Sequence, residues 1–396
     1  MSEPQKAAPK TRDWSLRSSA TRGLIYQIIA VALLALVVWY LASNTLANMK
    51  ARGIQSGYDF LSAPAGFQIG ESLFDFESTQ TYGLAILVGL TNTLRVAIVG
   101  IVFTTILGIL IGVGQLSRNY LIRNLCRVYV EVFRNIPVLL QLFMWYFTFT
   151  QFLPPLTEPV TFAPLEWWYL SQNGFQYPIP VWEFGHVLAA IGAVVGIVAA
   201  WIYRRKTLAR FEATGHLRPV WWPMLALIIG GGVVGWLIGG APGELSVPEI
   251  GEFSITGGGA ITPEYMALTV GLTVYTAAFL AEVVRGGVQS VSLGQSEASA
   301  ALGLSRGQAM RLVVLPQALR VIIPPTTSQF LNLTKNSSLA VIIGYPDLVS
   351  ISNTTLNQTG RAVECIAVIM AVYLVISLVT AWGMNAYNRK VAIKER

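Results

Sequence analysis

The chain has 396 residues, of which 54% are hydrophobic and only 12% charged, with a net charge of +7. A water-soluble domain carries about 25% charged residues, so this composition excludes an ordinary soluble fold. Two cysteines and two histidines argue against a disulfide framework or a metal cluster as organising features, and Cys126 and Cys365 read as ordinary membrane-protein thiols.

Apolar character begins near Leu24, after a polar basic tail, and runs to about Ala42. That length suits a membrane span, and no small-residue cleavage site follows, so the segment reads as a span and not as a cleavable signal. Seven further apolar stretches approach or exceed the roughly 18–20 residues that cross a bilayer. The predicted spans are approximately 24–43, 84–115, 136–153, 186–203, 221–239, 264–284, 318–345 and 362–384. The runs are continuously apolar and do not alternate, which disfavours a β-barrel. The expected fold class is an all-α polytopic membrane protein with about eight transmembrane helices. Gly108 and Gly112, Gly192 and Gly196, and the ladder Gly231, Gly235 and Gly239 recur at spacing four, which lets helices approach closely in lipid.

Charge distribution sets the expected orientation. With the N-terminus inside, the inner segments hold Lys6, Lys10, Arg12, Arg17 and Arg22; Arg118, Arg123 and Arg127; Arg204, Arg205, Lys206, Arg210 and Arg218; Arg285, Arg306, Arg311 and Arg320; and Arg389, Lys390, Lys394 and Arg396. The outer loops hold only Lys50, Arg52 and Arg361. Cytoplasmic loops carry such an excess of Lys and Arg, so both termini and the 285–320 loop are expected in the cytoplasm. The basic balance is thus a topology signal, and it does not point to nucleic acid. The outer loops, roughly 44–83, 154–185, 240–263 and 346–361, are shorter than the roughly 50 residues of a small domain. Trp167, Trp168, Tyr169, Tyr177 and Trp182 crowd the second of them. They read as an interfacial belt, with a ligand-stacking platform as the alternative.

Between the sixth and seventh spans lies a polar island. Ser292 with Gln295, and Ser305 with Gln308, each fit a capping box. Two short helices are therefore predicted, 293–302 and 306–315, with Gly303 between them in the left-handed conformation that favours glycine. Pro316 is expected to stop the second. Such a hairpin suits either a docking element for a cytoplasmic partner or an ordinary amphipathic loop.

The seventh span is unusually polar. Gln329, Asn332, Lys335, Asn336 and Ser337 are costly against lipid and are the candidate pathway-lining residues. Lys335 either steers a substrate carboxylate, or pairs with a protein carboxylate or snorkels to an interface. Glu131 and Arg134, three apart, are read as a structural ion pair.

The order Glu297-Ala298-Ser299, then Gly303, then Val313, Leu315 and Pro316 is similar to the EAA motif of ABC importer permeases. Ser299 stands where that family usually has a second alanine. The segments YVEVFRNIPVLLQLFMWYF (129–147), AEVVRGGVQSVSLGQ (281–295), LPQALRVIIPP (315–325) and NLTKNSSLAVIIGYPDLVS (332–350) resemble the polar amino acid permeases of the histidine/glutamine type. The whole chain resembles the larger permeases of general L-amino acid importers of Gram-negative bacteria.

The resemblance implies a type I ABC importer permease core. Residues 1–83 would hold a cytoplasmic tail, an extra N-terminal span and a periplasmic loop. Residues 84–388 would be the transmembrane domain, with core segments 84–153 and 264–388 and a two-span insertion at 154–263; 389–396 would be a cytoplasmic tail. Glu297, Ala298, Ser299, Gly303, Leu315 and Pro316 would couple to an ATPase.

The implied function is translocation of L-amino acids across the bacterial inner membrane. The alternatives are another small polar solute such as an opine, or an ion-driven secondary transporter. The chain itself would be no enzyme and hold no cofactor or metal. It has no Gly-x-x-x-x-Gly-Lys-Ser/Thr phosphate loop, so ATP and Mg would be bound by the partner ATPase. The implied partners are a second, similar heterologous permease, two ATPase subunits, a periplasmic amino-acid-binding protein and membrane lipid.

Overall fold

The computed structural model describes residues 19–51, 53, 56–162, 165–215, 219–251 and 255–391. The described chain divides into two compact units, one from the segments 1–90 and 348–376, the other from 91–347 and 377–396.

The first unit contains helix α1 (Ser19–Ala51), the first turns of α2 (Tyr82–Gln115), and residues from α11 (Leu348–Thr359) and α12 (Ala362–Val391). Most apolar side chains of α1, among them Leu33, Leu36 and Trp39, are exposed, as expected of a helix whose solvent is lipid, while Met49 near its end is buried. Between α1 and α2 the chain folds over a small core of Phe60, Ala65, Tyr82, Ala85, Val88, Ile351 and Cys365. Polar clasps hold it. Tyr82 donates its hydroxyl to Gln358 Oε1 at 2.8 Å, the Gly57 N–H donates to Glu364 Oε1 at 2.8 Å, and Arg361 Nη2 meets Asp59 Oδ2 at 3.3 Å.

The second unit is built around α7 (Pro263–Gln289), the most enclosed of the long apolar helices. Leu268 and Leu272 of α7 join Val96, Leu142, Leu333 and Tyr345 in its main core. The rest of α2 packs on α7 through Gly108 and Gly112. A Cβ at Gly108 would lie 2.8 Å from Leu280 Cβ, and one at Gly112 would lie 2.8 Å from the Ala281 carbonyl oxygen, so any side chain there would force the helices apart.

Next come α3 (Tyr120–Asn135) and α4 (Val138–Phe147), the latter extended by a π turn to Phe152. Pro137 disfavours helical backbone at the residue before it, and the break falls at Ile136, whose backbone is extended. Buried Gln141 stitches the break by donating to the Phe133 and Ile136 carbonyls at 2.9 and 2.8 Å. Helix α3 is amphipathic. Tyr129 donates to the Val274 carbonyl of α7 at 2.8 Å, while Leu121, Leu125, Val128 and Val132 form an exposed stripe.

The region 154–263 holds two long helices, α5 (Phe184–Thr214) and α6 (Trp221–Ile238), and short strands beyond one end of them. In chain order the strands are β1 (Val160–Phe162), β2 (Leu165–Ser171), β3 (Gly174–Tyr177), β4 (Ile179–Pro180), β5 (Leu245–Ser246), β6 (Glu249–Ile250), β7 (Ile255–Thr256) and β8 (Gly259–Ile261). They pair as an antiparallel sheet ordered β1-β2-β3-β8 and two two-stranded ladders, β4-β5 and β6-β7. Part of the aromatic loop is thus built into strands. Trp168, Phe175 and Tyr177 pack on one another with ring centroids 5.3–6.2 Å apart, while Trp167 and Trp182 remain exposed. Helices α5 and α6 interlock through glycine. A Cβ at Gly192 would strike the Gly231 carbonyl, one at Gly196 the Leu227 carbonyl, and one at Gly235 the Leu188 carbonyl.

The membrane-spanning inventory agrees with the expected helical fold. Among the described residues α1, α2, α5, α6, α7 and α12 are each long and apolar enough to cross a bilayer. The bent run 306–343 with 348–359 counts as a seventh if taken as one span, and 138–152 is a shorter apolar helix. Those two correspond to the predicted spans 318–345 and 136–153, so eight is an approximate figure.

Candidate functional site: a hairpin continuous with a polar helix

Helix α8 (Leu293–Ala301) follows α7 after a three-residue link. Its end is set by Gly303, at φ +74°. The Gly303 N–H donates to the Ala300 carbonyl at 3.0 Å and the Leu304 N–H to the Ser299 carbonyl at 3.1 Å. This 5→2 and 6→1 pair is the Schellman stop, which needs a left-handed residue where Gly303 sits. Ser305 then starts the next helix with a complete capping box. Its Oγ accepts from the Gln308 N–H at 3.4 Å, and Gln308 Oε1 accepts from the Ser305 N–H at 2.9 Å.

The box expected at Ser292 does not form. Ser292 makes no side-chain cap bond, and the Gln295 side chain is used elsewhere. Its Oε1 accepts from Gln317 Nε2 at 3.2 Å, while the same Nε2 donates to the Val313 carbonyl at 3.0 Å. This clip, across 22 residues, ties α8 to the helix that leaves the hairpin. No local spacing announces it.

Pro316 does not stop the second helix. Helix α9 (Arg306–Ala309) passes through a π turn at Met310–Val314 into α10 (Leu315–Asn336), with right-handed helical backbone at every junction. In the π turn the Leu315 N–H bonds to the Met310 carbonyl. Proline lacks the N–H that would continue the i→i−4 ladder, and it sits well in a helix's first turn. Pro316 therefore opens α10 directly after the widened turn. The helical path from Arg306 to Asn336 is unbroken, about 46 Å at 1.5 Å per residue.

Four of the six EAA-like residues lie on the surface of this element, with Ser299 buried and Pro316 half-buried. Glu297, Ala298 and Leu315 are exposed, as is Gly303. Ser299 is buried and donates its hydroxyl to the Gln295 carbonyl at 2.6 Å, so its polar atom is satisfied within the helix and it serves as a small packing residue. Leu293 and Leu302, at either end of α8, are 81% and 80% exposed. Bare leucines flanking a carboxylate make a surface suited to a protein groove.

On α10 the candidate pathway residues divide. Asn332 and Lys335 are exposed, and Gln329 and Asn336 half-buried. Ser328, four residues before Asn332, completes an exposed polar stripe with Asn332 and Lys335 at helical spacing. Ser337 does not belong to it. It is fully buried and donates to the Thr334 carbonyl at 2.7 Å, because the chain tightens there into a 3-10 turn, Ser337–Ile343. Thr326 and Thr334 are also buried, their hydroxyls returned to the Ile322 and Phe330 carbonyls. Lys335 has no carboxylate partner among the described residues.

The Glu131–Arg134 ion pair is not formed. Glu131 accepts from Asn135 Nδ2 at 3.3 Å, and the Arg134 guanidinium lies over the Phe279 ring, 5.3 Å from its centroid. The packing of α3 on α7 draws Arg134 to the aromatic face. The pair that does form is Glu282 with Arg285, where Arg285 Nε donates to Oε2 at 3.1 Å and Nη1 donates to Gln289 Oε1 at 2.7 Å. It lies on the last turns of α7, just before the hairpin.

The chain is similar to known proteins along most of its length. Residues 104–393 match the family model described as binding-protein-dependent transport system inner membrane component. A Rhizobium johnstonii protein named general L-amino acid transport system permease protein AapQ is 47% identical over 97% of this chain and 96% of its own length. An Escherichia coli protein named putative amino-acid ABC transporter permease protein YhdX is 44% identical over 96% of this chain and 97% of its own. A Rhodobacter capsulatus protein named as a glutamate/glutamine/aspartate/asparagine transport system permease is 38% identical over 95% of each chain. A solved amino acid ABC transporter with histidines aligns with 78% of this chain and 95% of its own, at TM-score 0.46 and 19% identity.

Proposed function

The chain belongs to the family of binding-protein-dependent transport system inner membrane components, and from that premise we propose that it is the membrane subunit of an ATP-driven importer of L-amino acids. The observation that carries the mechanism is the unbroken helix from the 293–314 hairpin into the polar stripe of α10. On this reading two separate ATPase subunits, which bind ATP and Mg, seat the exposed surface of α8 in a groove. A periplasmic amino-acid-binding protein delivers solute outside. A second, similar permease completes the pathway, faced by Ser328, Asn332 and Lys335.

Closure of the ATPases moves the hairpin. The Gln295–Gln317 clip and the continuous helix carry that displacement into the first turns of α10. The ATP-bound and nucleotide-free states must favour different arrangements of the permease for this to drive transport. Lys335, with no carboxylate partner among the described residues, supplies a positive charge that recognises the carboxylate common to amino acids. Both termini and the hairpin face the cytoplasm in this scheme, in keeping with the excess of inner cations.

Uptake into proteoliposomes holding both permeases, with the ATPase and binding protein added, tests the proposal. Uptake of labelled L-amino acids is expected only with ATP and all components. Uptake that persists without ATP would overturn it in favour of an ion-driven carrier. Competition by unlabelled amino acids against an opine separates the solute classes. A green fluorescent protein fused after Arg396 is expected to fluoresce, and a dark, exported fusion would reverse the orientation.

A further inference from the structure

We infer that the inner end of the α5–α6 hairpin is a binding site for the phosphodiester headgroups of anionic phospholipids. The placement of this site at the cytoplasmic leaflet rests on the proposed orientation.

The glycine contacts fix the register of the two antiparallel helices: Gly192 opposes Gly231, and Gly196 opposes Leu227. The same register sets Trp201 opposite Trp222 and Tyr203 close to Pro219, and the Tyr203 hydroxyl does donate to the Pro219 carbonyl at 3.3 Å. Trp201, Trp221 and Trp222 therefore share one depth, and they are 51%, 81% and 76% exposed. From Phe184 to Trp201, and along the whole of α6, the helices span about 27 Å, close to the roughly 30 Å of bilayer hydrocarbon. Neither stretch contains a Lys, Arg, Asp or Glu. The tryptophans thus mark the membrane boundary.

The cations begin one turn beyond it. Arg204, Arg205 and Lys206 stand about 4–8 Å past Trp201 along the helix, within the headgroup layer. Arg210 follows one turn later. All four are exposed. Successive helical residues are about 100° apart, so the first three spread over the helix circumference. None has a carboxylate partner among the described residues. The Arg205 guanidinium lies 4.0 Å from the centroid of the Trp201 ring, which holds it at the boundary. Unpaired cations immediately inside a tryptophan band, on a helix that projects past it, match an anionic leaflet in both sign and depth.

The test is native mass spectrometry of the full-length chain exchanged into mixed micelles of phosphatidylglycerol and phosphatidylcholine. The wild type is expected to retain phosphatidylglycerol preferentially. The R204Q/R205Q/K206Q variant should lose that preference by up to about fivefold per cation removed. R306Q/R311Q, on the coupling hairpin, should retain it. Because removing three cations can disturb insertion, R204K/R205K is the companion variant, and it should keep the preference. Raising salt from 0.1 to 1 M shortens the screening length from about 10 to about 3 Å and should weaken the wild-type preference.

Equal retention by wild type and R204Q/R205Q/K206Q would overturn the inference. So would equal loss from R306Q/R311Q, or loss of a co-purifying acidic protein with lipid retention unchanged. A dark C-terminal fluorescent fusion alongside normal lipid preference would reverse the leaflet and sink the orientation, leaving the headgroup site standing.

Discussion

Replacing Gly303 isolates one backbone dihedral as the determinant of the coupling hairpin. The residue sits at φ +74°, and a Cβ added there would meet nothing within 4 Å. The cost of substitution is therefore conformational, with no steric clash against a neighbour. An L-residue in the left-handed region costs roughly 1–2 kcal/mol, less for asparagine and more for a β-branched side chain. A penalty of that size lowers the correctly folded hairpin fivefold to thirtyfold relative to alternatives. The expected order of coupling is Gly303, then Gly303→Asn, then Gly303→Ala, then Gly303→Val. The assay is ATP hydrolysis stimulated by the loaded binding protein in proteoliposomes, with ATPase co-purification as a second readout. Thermal unfolding of the membrane helices should be unchanged across the series, because the site is exposed. A Gly303→Val protein that couples as well as wild type would refute the argument that a left-handed stop shapes the docking surface.

Four other outcomes follow from particular contacts. Gln317→Ala removes the 3.2 Å clip to Gln295, worth about 0.5–1.5 kcal/mol; less solute should move per ATP with assembly intact, and an unchanged ratio would count against the clip. Gly235→Leu drives a side chain into the Leu188 carbonyl, an overpacking of about 1–3 kcal/mol, which should lower the unfolding midpoint of the purified protein in detergent. Glu364→Ala strips the acceptor from the Gly57 N–H at about 1–3 kcal/mol, and hydrogen exchange across 56–82 should speed up; protection equal to wild type would exclude the clasp. Lys335→Gln should raise the transport KM by about tenfold, as expected for losing a charge-assisted hydrogen bond, while leaving ATPase binding untouched.

Where sequence succeeded, the signal was local. Apolar runs marked the helices because lipid demands continuous apolar surface and internally satisfied backbone. The glycine ladders marked close packing because only glycine admits a carbonyl at those distances. Ser305 with Gln308 announced its own cap. Where sequence failed, a distant partner had taken the group. Gln295 was claimed by Gln317, 22 residues away, and so left the Ser292 box unmade. Arg134 was claimed by Phe279 and so left Glu131 to Asn135. Ser337 carried the right polarity for a pathway, but the 3-10 turn at the end of α10 rotated it into the core. Most strands of 160–180 and 245–261 are two to four residues long, too short to leave a period, and the seven-residue β2, LEWWYLS, does not alternate polar with apolar residues.

The prolines of the coupling helix also take their meaning from neighbouring turns. Pro316 looked like a terminator, yet the π turn before it lets the helix pass. Pro324 and Pro325 lie inside α10 on its exposed side, in line with Ser328, Asn332 and Lys335. Each proline deprives the carbonyl four residues earlier of its helical donor, so the Arg320 and Val321 carbonyls lose their ladder bonds. Thr326 and Thr327 turn their hydroxyls to the Ile322 and Ile323 carbonyls at 2.8 and 3.1 Å, one turn further along. Prolines and hydroxyls that bond back to the preceding turn are the usual causes of a bend in a long helix. The lever is thus stiff where the clip binds it to α8 and softened where it meets the polar stripe. On the proposed mechanism, a push on the hairpin would bend α10 at 324–325 and reorient Ser328, Asn332 and Lys335.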